Sequence, residues 1–362
     1  MKRSKHNRRW YLKSIGSIGA LGALAGCAGD DPDDGNGNGN GNGNGNGNGN
    51  GNGDDDTLPD VDMEIGSSYD SQHINVRTAE WFKERMEEET DGRFSVTITS
   101  GAAYGGEEEH AEMVADGAIE AHANGVMLHS MWAPEYSFYQ NPFTVEDIDH
   151  YHRILESDLL QEGWDMVLEN GNQRPLSKNV VYRGARHFTA NHAVHEPEDV
   201  QGIDLRLPQF DEWIAIWEAI GANPVAVALD ELYSALQTGV ADASEGPAEQ
   251  IRSFSLWEVQ SHYSLTNHDI STGAIFVNDD FYQGLDETYQ ELMREAAEEA
   301  QDEATETVLE DEEETIDEIE DEGMEIVRDV DEDAFFDAAQ PAMNDLYDEH
   351  YPVTTYEEVQ NM

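Results

Sequence analysis

The stretch PEDVQGIDLRLPQFDEWIAIWEAIGANPVAVA, residues 197–228, decides the fold of this chain. Three apolar residues alternate with polar ones in a predicted strand that ends at Pro208: Ile203, Leu205 and Leu207. Four apolar residues then share one face of a predicted helix: Trp213, Ile216, Trp217 and Ile220. Gly221 ends this helix, and a second strand begins at Val225. A strand, a helix and a strand in this order predict an α/β fold with a largely parallel sheet.

A second unit of the same kind lies nearer the N-terminus. Its first predicted strand contains three alternating apolar residues: Val61, Met63 and Ile65. A helix is predicted from Asn75 to Glu89, and Asp91-Gly92 ends it. The next strand alternates in the same way: Phe94, Val96 and Ile98. Two such units predict two lobes.

A long helix is predicted towards the C-terminus. Asp286 is a suitable N-cap, and the helical spacing of apolar residues extends to Gly323. About 37 residues at ~1.5 Å each give a length of ~55 Å, enough to cross both lobes. Between residues 298 and 322, 15 of 25 residues are acidic. We interpret this as a solvated helix face rather than a metal site.

The N-terminal residues carry targeting signals. Residues 1–26 contain six Lys/Arg and no acid around an apolar run, the layout of a signal peptide. The pair Arg8-Arg9 is typical of twin-arginine export. Residues 24–27 (LAGC) predict that Cys27, the single cysteine, is lipidated and anchors the chain to the membrane. Residues 27–56, rich in Gly-Asn pairs, are predicted to form a flexible linker.

The remaining chain is extremely acidic. Without residues 1–26, 13 Lys/Arg stand against 78 Asp/Glu, a formal charge of −65. The acidic side chains would repel one another in dilute salt. At molar salt the Debye length falls to ~3 Å, and this repulsion is screened. The composition is therefore typical of a halophilic protein, such as those of halophilic archaea. It disfavours nucleic acid as a partner, because phosphates require basic patches.

Three blocks of sequence resemble the solute-binding proteins of tripartite ATP-independent periplasmic (TRAP) transporters: residues 197–208, 220–224 and 231–242. Upstream, Asp116-Gly117, Pro134-Glu135 and residues 141–143 match landmarks of the same family in order. The resemblance covers nearly all of residues 60–345.

The resemblance implies a bilobal periplasmic-binding-protein-like fold, with two α/β lobes joined by hinge strands and a long helix spanning both. The boundaries it implies place lobe I at 57–183 and 272–311, and lobe II at 184–271 and 312–362. It further implies a monomer without cofactor or catalysis. This protein would bind a small organic carboxylate outside the cytoplasm and deliver it to the integral-membrane TRAP subunits.

Two arginines are the principal candidates for solute binding. Arg206 lies in a predicted strand, so its side chain points opposite to those of its two neighbours. The resemblance matches it to the arginine that forms a two-pronged salt bridge with the solute carboxylate, a geometry that guanidinium offers and lysine does not. Arg186 resembles a second arginine that reaches the solute, and Arg183 competes for that role.

Further candidates come from the cleft loops of the family. In the second lobe these are Leu229, Tyr233, Glu245 and Gly246. Gly246 departs from the asparagine of many sialic acid binders, which argues against assuming that solute. In the first lobe they are His73, Glu107 and Asn124.

Two other functions remain open from the sequence. One is the receptor of an ATP-driven importer with a similar bilobal fold. The other is a secreted enzyme on such a scaffold, which would need a nucleophile or an acid–base pair that the motifs do not supply. His187, His192 and His195 lack the spacing of a metal site, so no metal is expected.

Overall fold

A central sheet organises the molecule, and the computed structural model describes residues 58–362. The signal peptide, Cys27 and the linker therefore lie outside the described residues. The strands are β1 (Val61–Gly66), β2 (Phe94–Thr99), β3 (Ala121–Gly125), β4 (Gln173–Pro175), β5 (Val181–Ala190), β6 (Asp204–Leu207), β7 (Asn223–Ala226), β8 (Ser244–Gly246), β9 (His262–Asn278) and β10 (Glu325–Val327). The sheet order is β2-β1-β3-β9-β5-β8, with β4 and β10 also paired to β9.

Helices surround this sheet. They are α1 (Ile74–Glu89), α2 (Glu107–Ala115), α3 (Leu128–Trp132), α4 (Ile148–Leu155), α5 (Asp158–Gly171), α6 (Asp211–Ile220), α7 (Leu232–Thr238), α8 (Ala248–Ser253), α9 (Asp279–Gly284), α10 (Glu287–Asp321), α11 (Glu332–His350) and α12 (Tyr356–Gln360). Within residues 58–362, none of them combines the length and the apolar character needed to span a bilayer.

Both predicted strand–helix–strand units are present. Strands β1 and β2 pair in parallel, and α1 buries its apolar stripe: Ala79, Phe82 and Met86. Strands β6 and β7 pair in parallel around α6. Gly221 ends α6 with a φ of 116°, and a side chain there would collide with Gln201, so glycine is required at this turn. The α/β prediction is confirmed.

One long strand and one long helix connect the parts of the fold. Strand β9 has 17 residues and pairs with β3 near its C-terminal end and with β10 near its N-terminal end. Helix α10 has 35 residues, or ~52 Å at ~1.5 Å each. The Asp286 side chain accepts from the backbone N–H of Thr288 at 2.9 Å and caps the helix as predicted.

Helix α10 contributes to two separate apolar clusters. Met293 and Ala297 pack with α1, β1 and β2, whereas Ile316 and Ile319 pack with α7, α8 and Tyr263 of β9. A third cluster packs α4, α5, α6 and α11 together. The helix thus spans two packing regions, as the sequence predicts. The exact lobe boundaries, at 183/184, 271/272 and 311/312, stay predictions.

Candidate functional site

A cleft of about 790 Å³, its open mouth included, is the candidate site. Its charged lining residues come from α2, β5, β6 and β9: Glu107, Arg183, Arg186, Arg206 and Asp269. Aromatic side chains also line it: Tyr69, Tyr139, Tyr151, Phe210 and Trp213. A cleft of this size, with apolar walls and a few charged groups, is suited to a small polar molecule.

Arg206 forms part of the cleft wall and is only 2% exposed. Its backbone N–H donates to Ala243 O at 2.8 Å, which fixes β6 next to the segment leading into β8. Its Nε donates to Val227 O at 3.0 Å, and this bond orients the guanidinium plane. The sequence thus places a buried, oriented guanidinium at the cleft, the group best suited to hold a carboxylate.

Arg186 and Glu245 form a two-pronged ion pair beneath the cleft. Arg186 Nε and Nη2 donate to Glu245 Oε2 and Oε1, both at 2.6 Å, and Nη1 donates to Ser271 Oγ at 3.1 Å. Burial opposes ionisation of Glu245, but Arg186 and then His268 lower its pKa to about 2. Burial alone would lower the pKa of Arg186, and Glu245 more than reverses this. Both groups are therefore charged and bound to each other.

His268 completes this group from β9. Its Nε2 lies 3.2 Å from Glu245 Oε2 and its Nδ1 2.8 Å from Thr266 Oγ1. Burial lowers the pKa of His268, so the ring is neutral. Its Nε2–H then donates to Glu245, and Nδ1 accepts from the threonine hydroxyl.

Arg183 lines the cleft beside Tyr69, and His73 supports both. The guanidinium of Arg183 lies 4.5 Å from the centre of the Tyr69 ring, and its Nη2 is 3.1 Å from His73 Nε2. Tyr69 stacks on His73 at 3.7 Å. Burial, and then Arg183, hold the pKa of His73 well below its usual value. His73 itself is not a lining residue; it caps α1 by accepting from the Asn75 N–H at 3.1 Å.

Glu107 and Asn124, both predicted site residues, have different positions. Glu107 lines the cleft, and its Oε1 accepts from Gly125 N at 2.7 Å and from Tyr69 Oη at 3.0 Å. Asn124 is fully buried below the cleft, where Oδ1 accepts from the Ser68 N–H at 3.0 Å. Asn124 therefore orders the loop after β1 rather than lining the cleft.

Of the candidates predicted in the second lobe, some line the cleft and others do not. Leu229 lines the cleft, whereas Tyr233 lies outside it and donates to Glu258 Oε2 at 2.6 Å. Gly246 is buried in β8 and does not line the cleft, but a Cβ there would lie 2.8 Å from Gln250 Cδ. Gln250, four residues later, does line the cleft. Its amide thus occupies the space that a side chain at 246 would take.

Strand β9 is irregular where it passes the cleft. Ser264 pairs with Phe188, and Asp269 pairs with Arg186. Between these two pairs the chain advances by five residues in β9 but by only two in β5. Asn267, within this bulge, has a φ of 47°. Bulges of this kind redirect side chains. Here His268 faces Glu245 and the next residue, Asp269, lines the cleft.

A hydrogen bond joins helix α6 to a segment on the opposite wall of the cleft. Trp213, on α6, donates its indole N–H to Gln140 O at 2.9 Å, and Gln140 ends a 3-10 helix at Pro134–Gln140. The ring of Trp213 also lies 5.1 Å from the guanidinium of Arg186. The bond therefore links two segments that both contribute lining residues to the cleft. In the part of the chain that the structure describes, no three His, Cys, Asp or Glu side chains are grouped to hold a metal ion.

The sequence of residues 65–350 matches the family model of the bacterial extracellular solute-binding proteins, family 7 (DctP). The chain belongs to this family. The sialic acid-binding periplasmic protein of Vibrio cholerae is 25% identical over 234 residues, 65% of this chain and 72% of that protein.

Solved structures of TRAP periplasmic solute-binding proteins share the fold of this family member. One, from Roseobacter denitrificans with bound L-galactonate, has a TM-score of 0.74 and 25% identity, and covers 84% of this chain and 99% of its own. Another, from Chromohalobacter salexigens with bound D-glucuronate, has a TM-score of 0.76 and 25% identity, and covers 83% and 99%. The predicted family and bilobal α/β fold are confirmed.

The cleft of this solute-binding protein contains residues that the sequence did not single out. Asp269, Gln250 and Tyr151 all line it. An acid inside a strand-forming run was the available signal for Asp269, since a carboxyl in a buried strand needs a reason to be there. Nothing in the local pattern around Gln250 or Tyr151 distinguishes them from ordinary helix residues.

Proposed function

We propose that this protein binds a small organic carboxylate in the cleft and that Arg206 is the main partner of the carboxylate. The observation that carries the proposal is the concentration of positive charge. The chain has only 11 arginines beyond residue 26, and three of them line this one cleft: Arg183, Arg186 and Arg206. The proposal assigns the carboxylate to Arg206, because its buried guanidinium lines the cleft and is oriented by the bond from Nε to Val227 O.

A sugar acid is the class of solute that fits the lining best. L-galactonate and D-glucuronate, bound by the two structural relatives, each combine one carboxylate with several hydroxyl groups. The cleft offers polar groups beyond the arginines, among them Glu107, Gln250 and Ser271. It also offers aromatic rings, such as Trp213, against which the apolar face of a sugar packs.

The proposal includes the cellular setting. The protein would present the acid to integral-membrane TRAP subunits as a monomer and release it unchanged, without acting as an enzyme. A lipid anchor at Cys27 and the linker of residues 27–56 would hold it at the extracytoplasmic face of the membrane. The support for this setting is the family membership together with the N-terminal sequence.

Calorimetry at fixed high salt tests the role of Arg206. Thermal-shift screening with D-glucuronate, L-galactonate, a sialic acid and succinate first selects the ligand. Removing one member of a buried charge pair costs ~3–5 kcal/mol, so Arg206→Ala should weaken binding roughly 200- to 5,000-fold. Arg206→Lys should also bind poorly, because it keeps the charge but loses the parallel donors.

Arg294→Ala is the matched control, since Arg294 is exposed on α10, away from the cleft. It should bind like the wild-type protein. A folded Arg206→Ala protein that binds within threefold of wild type would show that the carboxylate lies elsewhere.

A further inference from the structure

Asp269 is a buried acid that has no ion-pair partner in the described structure. It is 7% exposed and lines the cleft, because the bulge of β9 turns it there. It lies opposite Arg186 in the strand register, yet that guanidinium gives its donors to Glu245 and Ser271. The backbone N–H of Ile270 is the hydrogen-bond donor that Asp269 has.

Several titratable groups face Asp269. They are Arg186 on β5, Glu245 on β8 and Tyr151 on α4, with Arg206 and Glu107 elsewhere on the cleft wall. Burial raises the pKa of Asp269 to about 8; Arg186 opposes this and Glu245 adds to it. Burial likewise holds Tyr151 protonated.

The charges around the cleft depend on this one group. Three arginines line it, Glu245 neutralises Arg186, and Glu107 contributes a second negative charge. When Asp269 is ionised, a carboxylate solute in the cleft meets a further buried negative charge, and when Asp269 is neutral it does not.

We propose that Asp269 is a specificity-determining residue that binds the solute in its neutral form, its hydroxyl donating a hydrogen bond to an oxygen of the bound acid, so that in alkaline solution the anion and one proton are taken up together. The inference rests on the proposed function, since it requires that an anion enters the cleft. The proton comes from solvent and joins a carboxylate oxygen of Asp269; no other bond changes.

The sign of the pH dependence follows from linkage. Below pH ~8 Asp269 is already protonated, so affinity should not change with pH. Above it, each solute molecule must also bring in a proton, so affinity should fall by up to ~10-fold per pH unit. An amide at this position keeps an N–H donor but has no proton to bind, so Asp269→Asn should bind with a flat pH profile.

Calorimetry with D-glucuronate and with L-galactonate from pH 6.5 to 9.5, in buffers of different ionisation enthalpy, tests the proposal. For the wild-type protein we expect constant affinity up to pH ~8, then the tenfold-per-unit loss, with uptake of about one proton per solute at pH 9. Asp269→Asn should show neither. Asp269→Ala should lose about tenfold or more at every pH, because the hydrogen bond is gone. Asp345→Asn, an exposed acid on α11, is the charge-matched control and should keep the wild-type profile.

Two results would overturn the proposal: no proton uptake by the wild-type protein at pH 9, or the same pH slope in Asp269→Asn. A ligand-free measurement separates it from the proposed function. Infrared difference spectra between wild type and Asp269→Asn at pH 7 should show a protonated carboxyl group, and an ionised one there rejects the inference. Failure of the wild-type protein to bind any of the screened acids instead rejects the proposed function.

Discussion

Glu245 on β8 and Asp269 on β9 lie on either side of the same guanidinium, and they ionise in opposite ways. Both are buried, at 0% and 7% exposure, and both interact electrostatically with Arg186. The pKa of Glu245 is lowered to about 2, whereas that of Asp269 is raised to about 8. Burial raises both values; what differs is the hydrogen bonding. Glu245 receives two arginine donors and His268, whereas Asp269 receives one backbone N–H.

The comparison shows that partner geometry, rather than residue type or burial, sets the charge of an acid in this site. Arg186 directs two parallel donors to Glu245 and a third to Ser271, and none of its hydrogen bonds in the described structure goes to Asp269. Glu245 thus becomes a fixed part of the scaffold. Asp269 is left able to change its charge, which is the property that a ligand-responsive group needs.

Removing the negative charge of Glu245 should have the largest effect on stability. Glu245→Gln leaves Arg186 buried without its counter-ion, and we expect a loss of ~3–5 kcal/mol in the free energy of unfolding. Urea denaturation at constant high KCl measures it. The lowered pKa means that this contribution is complete above pH ~4.5 and is lost as the pH falls towards 2. A loss below 1 kcal/mol at pH 7 would mean that the ion pair does not hold the site together.

Removing the carboxyl group of Asp269 should instead increase the free energy of unfolding. In the unfolded chain Asp269 ionises near pH 4, whereas in the native state it keeps its proton to about pH 8, so the native state loses stability as the pH rises between these values. Asp269→Asn removes this loss and should be more stable than wild type by an amount that grows from pH 4 to pH 8, reaching on the order of 2–4 kcal/mol. Urea denaturation at several pH values measures the difference, with Asp345→Asn as control. A constant difference across this range would show that Asp269 is ionised in the native protein.

The sequence predicted the regular parts of this comparison. The apolar stripe of α6 follows from burial on one face and is present, whereas β6 is buried on both faces, with Leu205, Arg206 and Leu207 all buried. Glu245 and Arg186 were both named, but as separate solute ligands; the structure binds them to each other. Their pairing depends on β5 and β8 lying side by side, which joins residues 59 apart in the chain.

The sequence did not predict that Asp269 lines the cleft, and the irregularity of β9 is the reason. Side-chain direction in a strand is predicted from an alternation of period two, and each extra residue in a bulge reverses it. Strand β9 contains such a bulge between Ser264 and Asp269, next to the positive φ of Asn267. Gln250 was missed because its relevance comes from the empty space at Gly246, which only the packing of α8 against β8 reveals.

The smallest expected effect concerns Trp213, the uncharged neighbour of the same guanidinium. Trp213→Phe keeps an aromatic ring near Arg186 but removes the indole N–H that bonds Gln140 O across the cleft. One neutral hydrogen bond is worth ~0.5–1.5 kcal/mol, so affinity for the acid should fall about 2- to 12-fold. Because the bond forms between the two walls, the loss should appear mainly as faster dissociation, which stopped-flow fluorescence or surface plasmon resonance resolves.

Trp257→Phe is the control for this change, since Trp257 packs in the α7–α8 cluster away from the cleft and should leave both rates unaltered. Trp213→Leu separates the two contacts further, because it removes the ring as well as the N–H. If Trp213→Leu and Trp213→Phe weaken binding equally, the cross-cleft bond accounts for the whole effect. If Trp213→Phe binds as tightly as wild type while Trp213→Leu does not, the residue acts through its ring on Arg186, and the wall-to-wall bond contributes nothing to holding the solute.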